Sequence, residues 1–416
     1  MPTTTLAEAT LAEVIAADGI RSVFQPIVDI DSLRPVAYEA LARGPHGSSW
    51  EAPSALLAAA YAEDLVAELD WACRRSAYRA ALDAGLDERT TLFVNVEPKT
   101  LGTPAPDDIA EVQGRALQRL RVILEVTERA ITSRPAEILA SAQWARSHGW
   151  GIAVDDLGAD PGSLALLPLL SPDVVKLDLR LIQARPDREI ATIMTAVLAY
   201  AEQTGAALLA EGIETVEHLE TARALGVRYG QGYLFGHPAP LDQGAVAAGS
   251  VEFLLPATLP LTGGTPFDVV AGRRPVRPST KPMLVEMAKH LEAEAAGLTA
   301  PAVVMSAFQD EKHFTPDSAR RYQRLAERCP LVVALGVGLR PEPAPGVRGA
   351  NIAAGDALAG EWSVVVIGAH YAAALVARDL GDTGPESLRR FDYALSHDRG
   401  LVIAAAASLM RRILPR

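Results

Sequence analysis

Between residues 20 and 240, short apolar runs alternate with helical stretches about eight times, and nearly every run stops at a carboxylate, an amide or a lysine. The pattern begins with RSVFQPIVDI (21–30) and a second run from Pro35 to Arg43. It continues through TLFVNVEP (91–98), VILEVTER (122–129), GIAVDDLG (151–158), VVKLDL (174–179), ALLAEGIET (207–215) and VRYGQGYLFG (227–236). Runs that are apolar throughout belong to strands covered on both faces, the habit of parallel sheets wrapped by helices. This alternation predicts a closed (β/α) barrel, with an open doubly wound sheet as the alternative. No GxGxxG follows the first strand and no Gly-rich Lys-Ser/Thr loop occurs, which disfavours dinucleotide and P-loop folds. Pro26 favours an edge or a strand end. One long alanine-rich helix is expected from about Ser54 to Ala84, its face of Leu57, Tyr61, Leu65, Leu69 and Trp71 read as core packing. Further helices are expected at Pro135–His148 and at about Asp187–Gln203.

Parallel strands in a barrel would bring Glu39, Asn95, Glu125, Asp155, Asp156, Lys176, Glu211 and Gln231 to one rim, where barrel active sites form. The adjacent pair Asp155 and Asp156 taken alone reads equally as a turn or a helix cap. Five carboxylates in one pocket repel one another unless cations neutralise them. Oxygen donors plus one amide, with no His or Cys, indicate a hard ion, Mg2+ or Mn2+. Two such ions sharing Asp155 would suit in-line displacement at phosphorus. Lys176 would then hold or polarise the attacking water, or balance charge on phosphorus; a salt bridge to Asp178 is its structural alternative. Arg43 could fork onto a phosphate oxygen or lie on the surface. Glu128 falls past the ligand row and is read as holding a loop. His46, His148, His218 and His237 lack metal-ligand spacing and are read as structural or solvated.

At 416 residues the chain exceeds one ordinary core and suggests two domains. Its net charge of -12 argues against general nucleic-acid binding and against an anionic-membrane anchor. The N-terminus has acids and no leading basic cluster, unlike a signal or transit peptide, and Leu6, Leu11 and Ile15 suggest a short amphipathic helix. No run approaches membrane-spanning length. Cys73 and Cys329 show no CxxC spacing, so a reducing, cytoplasmic setting with buried thiols is expected.

The strings EALAR, FVNVEP, LEVTE, DDLG, KLD, AEGIET and QGY, in this order and spacing, closely resemble the EAL phosphodiesterase domain over about residues 20 to 245. The resemblance implies hydrolysis of cyclic di-GMP to linear pGpG on a modified (β/α)8 TIM-type barrel with two divalent ions and a homodimeric assembly. By motif, Glu39, Asn95, Glu125 and Asp155 correspond to ligands of one ion, Asp155 and Asp156 to ligands of the second. Lys176 corresponds to the catalytic lysine, Glu211 and Glu214 to the metal and water network, and Gln231 to a water-positioning glutamine. Gln25, Leu41 and Arg43 match substrate-touching positions, and Glu128 the glutamate that pins the loop after the aspartates. That loop departs from the family's DDFGTGYSSL: here it is DDLGADPGSLALL, with Leu157 for the aromatic residue and Asp160-Pro161 inside it. An altered rate or regulation is therefore expected, and a catalytically silent cyclic di-GMP receptor is the alternative to the enzyme.

From Leu241 proline and glycine dominate, and a linker is expected at 246–281 after a lead at 1–19 and a barrel at 20–245. Strands AVVMSAF (302–308), LVVALGVG (331–338) and WSVVVIGAH (362–370) then alternate with helical stretches, from a helix at Met283–Ala296 to a closing one at 400–413. They predict a smaller α/β domain over 282–416. Its order of strands and RRFDYALSHDR (389–399) resemble the DICT sensory domain, which implies a regulatory role.

Overall fold

The computed structural model describes residues 9–100, 103–158, 164–185, 187–242, 251, 264–298, 300–383 and 385–414, with the backbone alone at 128–130. Helix α1 (Leu11–Ala16) opens the described chain under a capping box formed by Thr10 and Glu13, and buries Leu11 and Val14. The first half of the barrel is β1 (Arg21–Asp29), β2 (Arg34–Arg43), α2 (Pro53–Glu63), α3 (Val66–Asp83), β3 (Thr91–Asn95), α4 (Asp107–Arg119) and β4 (Arg121–Thr127). The second half is α5 (Glu128–Ser133), α6 (Pro135–Ser147), β5 (Gly151–Leu157), α7 (Leu167–Leu170), β6 (Val174–Leu177), α8 (Leu179–Gln183), α9 (Arg188–Thr204), β7 (Ala207–Ala210), α10 (Val216–Ala224) and β8 (Tyr229–Gln231).

Strands β1 to β8 close into a barrel in sequence order. Seven of them run parallel; β1 is antiparallel to both β2 and β8, so the barrel starts with a hairpin rather than a βα unit. Pro26 lies inside β1, just past the three residues that pair with β8, where a missing N–H costs least. The expected single helix over 54–84 is two, because Asp64 takes a left-handed turn (φ 56°) and ends α2.

The second domain is built from α11 (Pro266–Ala271), β9 (Arg277–Thr280), α12 (Lys281–Gly297), β10 (Ala302–Asp310), α13 (Pro316–Ala326), β11 (Leu331–Val337), β12 (Arg348–Asn351), β13 (Glu361–Gly368), β14 (Ala372–Asp379), β15 (Arg390–Ser396) and α14 (Arg399–Met410). Its sheet has the order β12-β11-β10-β13-β14-β15-β9. The stretch read as linker over 246–281 thus supplies, from its described end, a helix and an edge strand, since Phe267 and Val270 are buried and β9 pairs with β15. Strand alternation gives the sheet two apolar faces. Val304, Phe308, Val364 and Leu375 face α12 and α13. Val303, Met305, Val365 and Val376 share a core with α14, which packs on α6 and α7 of the barrel. The two domains are therefore joined by continuous apolar packing. Among the described residues, no helix is long and apolar enough to cross a membrane.

Candidate functional site

The barrel interior is stacked in layers by the two-residue period of its strands. Ile27, Ala37, Phe93, Ile123, Ala153, Val174, Leu209 and Tyr229, one from each strand, form a dry plug. Two residues further toward the carboxyl rim, and two residues back on the reversed strand β1, the same face carries Gln25, Glu39, Asn95, Glu125, Asp155, Lys176, Glu211 and Gln231. Every strand thus contributes one polar side chain to a single ring. The dense plug below leaves that ring no water from beneath, so its charges must answer one another.

Lys176, only 1% exposed, stands at the centre. Its Nζ lies 2.7 Å from Glu125 Oε1, 2.8 Å from Glu211 Oε1, 2.9 Å from Asp155 Oδ1 and 3.5 Å from Glu39 Oε2. Burial opposes its charge, but these four carboxylates outweigh burial and hold its pKa well above the usual lysine range. The salt bridge to Asp178 does not form: that carboxylate caps α8 and pairs with Arg180 at 3.1 Å.

The carboxylates are not equivalent. Glu39 accepts from Gln231 Nε2 at 2.6 Å and from Asn95 Nδ2 at 3.0 Å. Burial works against its charge, yet Lys176 and these two amides keep its pKa below the usual value. Glu125 receives no such donors; burial, with Glu39 next to it, drives its pKa well above the usual range. Burial and the Asp155 charge likewise raise Glu211 to about 8 against the pull of Lys176, and burial and Asp155 raise Asp156. Glu125 Oε2 and Gln231 Oε1 are buried without a hydrogen-bond partner. Five carboxylates around one ammonium, with orphaned acceptors among them, form a set short of positive charge.

Carboxylate oxygens of Asp155, Asp156 and Glu211 lie within 4.8 Å of one another, close enough to share one cation. Asp156 reaches this position from a left-handed backbone (φ 56°), a strained conformation for a non-glycine residue. The donor set is oxygen-only, which suits a hard divalent ion. Gly232 fixes the far side of the ring, because a Cβ there would sit 2.1 Å from the Ile213 carbonyl oxygen.

Of the other expected site residues, Gln25 belongs to the ring and the rest lie outside it. Gln25 bridges Gln231 Nε2 (3.0 Å) and the Gly236 carbonyl (3.2 Å) within the barrel. Arg43 turns its Nη1 to the Ala42 carbonyl at 2.8 Å. Glu214 is exposed on the loop after β7, three residues beyond Glu211. The Glu128 side chain and the loop residues Asp160 and Pro161 lie outside the described residues.

Beside Glu39, Asn95 and Glu125 opens a cavity of about 650 Å³ that Leu41 also lines. Its outer wall includes Leu57 and Tyr61, which the sequence pattern assigned to core packing; they are 37% and 53% exposed. Tyr61 donates to Glu97 Oε2 at 2.8 Å and Lys99 lies 5.5 Å from its ring centroid. Glu97 and Lys99 directly follow FVN, and that adjacency to a strand end is the signal that could have found them. Ser133 and Arg134 complete the rim from the end of α5.

The family model described as EAL domain matches residues 8–238. That described as a sensory domain in diguanylate cyclases and two-component systems, DICT, matches residues 270–380. Cyclic di-GMP phosphodiesterase RocR of Pseudomonas aeruginosa is 32% identical over 226 residues, 52% of this chain and 57% of that protein. The probable cyclic di-GMP phosphodiesterase PdeN of Escherichia coli is 29% identical over 225 residues, 53% of this chain and 43% of that protein. A solved manganese and cyclic di-GMP complex of Klebsiella pneumoniae BlrP1 is 30% identical, covering 53% of this chain and 56% of that chain with a TM-score of 0.47. The chain spans 29% to 57% of the length of the first curated relatives it matches.

Proposed function

The chain belongs to the EAL domain family, whose model spans residues 8–238, and from that membership we propose that it hydrolyses cyclic di-GMP to linear pGpG. The observation that carries this reading is the eight-membered ring, in which four carboxylates crowd one buried lysine, with Asp156 as a fifth acid beside them, and leave acceptors unpartnered. Mg2+ or Mn2+ would be held by Glu39, Asn95, Glu125 and Asp155 on one side and by Asp155, Asp156 and Glu211 on the other, with Asn95 turning its amide oxygen inward. Bound there, a pair of such ions supplies a nucleophilic water and neutralises the phosphodiester.

The chain's own groups do the rest. Lys176, kept protonated by its neighbours, orients the attacking water or meets charge growing on phosphorus. Gln231 positions water through its unpartnered Oε1, and Glu214 extends that network from the loop after β7. The cavity flanked by Leu41 and Tyr61 takes the nucleotide; the exposed Tyr61 ring offers a face on which a base can stack. Gln25 acts by holding Gln231, and Arg43 would have to release the Ala42 carbonyl to reach a phosphate. Family likeness alone assigns Glu128 to holding the loop after Asp156.

Regulation by the C-terminal domain is supported by Arg348. This buried side chain on β12 donates to the carbonyls of Thr132, Ser133 (3.1 Å) and Leu414, and so ties the second sheet to the cavity rim at Ser133. Homodimeric assembly rests on family likeness, and a reducing cytoplasmic setting on the two unpaired thiols. Purified protein given cyclic di-GMP with Mg2+ or Mn2+ is expected to release pGpG, read by chromatography. Glu39→Ala should abolish that release. Tight nucleotide binding without turnover in the unaltered protein would instead identify a silent receptor.

A further inference from the structure

The second domain holds a separate cavity of about 510 Å³ on the sheet face turned away from α14 and the barrel, between that sheet, α12 and α13. Its size is that of a small-molecule site. Phe308, Trp362 and Phe391 form its aromatic side; Phe391 is fully buried beneath Trp362, their ring centroids 6.2 Å apart at 72°, and the half-buried Trp362 is the ring that meets the cavity.

The polar side carries surplus positive charge in a chain of net charge -12. Four cationic side chains line the cavity beside three carboxylates, and three of the cations are already answered: Lys281 by Glu386, Lys289 by Glu286 at 2.7 Å, and Arg321 by Glu292 at 2.7 Å and by Asp317. Lys312 is exposed and, among the described residues, forms no ion pair within 4 Å; its charge acts on Glu386, which Lys281 already holds. The wall is also strained. Gln309, 8% exposed at the edge of the cavity, takes a left-handed φ of 63° where the register of β10 and β11 breaks between Ala307 and Asp310. A bulge that re-aims a buried amide beside a cavity is the kind of local cost a binding site retains.

We propose that this cavity binds a small planar aromatic molecule bearing one anionic group, its ring against Trp362 and its anion at Lys312. The proposal stands independently of the chemistry at the barrel rim. Calorimetric titration of the full chain with 2-naphthoate, indole-3-acetate and 4-hydroxybenzoate tests it. At least one of these acids should bind one per chain, and Lys312→Gln, a change at an exposed side chain, should weaken it by about tenfold. Val285→Phe fills the cavity and should remove binding with the melting temperature and near-ultraviolet dichroism unchanged. Absence of saturable heat with all three acids overturns the proposal. So does binding that survives both substitutions, or octanoate binding as tightly as the aromatic acids.

Discussion

Glu125 in the barrel and Glu361 in the second sheet are both buried carboxylates, 1% and 0% exposed, and burial raises the pKa of both. Their surroundings differ in the number of donors. Glu361 accepts from Thr265 Oγ1 at 2.5 Å, from the Phe267 amide at 3.2 Å and from Arg378 Nη2 at 2.7 Å, and so fastens α11 to the sheet. Glu125 faces Lys176, which three other carboxylates also claim, and its Oε2 has no hydrogen-bond partner. A buried acid supplied with donors is a structural fastener; one left short is held ready for a cation that the fold does not itself provide.

The contrast is broken most sharply at Glu125. Glu125→Gln should lower turnover by about 10³-fold, on the scale of losing a preorganised electrostatic group. The metal-free protein should melt no lower than before, because the substitution removes an unsatisfied charge. A large drop in melting temperature would make Glu125 a second fastener.

Glu361→Ala should do the reverse. It is expected to cost about 3 kcal/mol of stability by stripping donors of their buried acceptor, while turnover per folded molecule is unchanged. Chemical denaturation paired with an activity assay reads both quantities.

A smaller effect should appear in the pH dependence of the metal-free protein. Glu211 titrates at about 8 when folded against an ordinary 4.5, so the folded state holds more protons than the unfolded one between those values. Its contribution to stability is therefore lost as pH rises from about 5 to about 8, by at least about 1 kcal/mol. Saturating Mg2+ should flatten that slope by replacing the proton. A metal-free protein equally stable across the range would refute the crowding of charge.

The least change is expected at Arg348, which belongs to neither carboxylate. Arg348→Gln should alter kcat/KM by roughly threefold, within the range typical of coupling between sites, and lower the unfolding midpoint because three carbonyls lose their donor. Identical kinetics in the two proteins would separate the second sheet from the cavity rim.

Much of the ring was legible in the chain because period-two alternation is local: once Phe93 or Val174 is placed inside, Asn95 or Lys176 must follow on the same face. The positions of Tyr61 and Leu57 were not. Their helical spacing matches a core stripe, and only the folded chain, with α2 ended at Asp64, leaves them on a cavity wall.

The alternation of strands and helices in the barrel, the acidic ring and the family itself follow from sequence, since each depends on spacing along the chain. Tertiary structure alone decided that Lys176 meets four carboxylates at once, that Glu125 shares that one lysine with three other acids while Glu361 has three donors, and that Arg348 reaches the barrel rim. The physical reason is distance. Electrostatic and hydrogen-bond partners are chosen by proximity in space, and residues 39, 125, 155, 176 and 211 become neighbours only when the barrel closes.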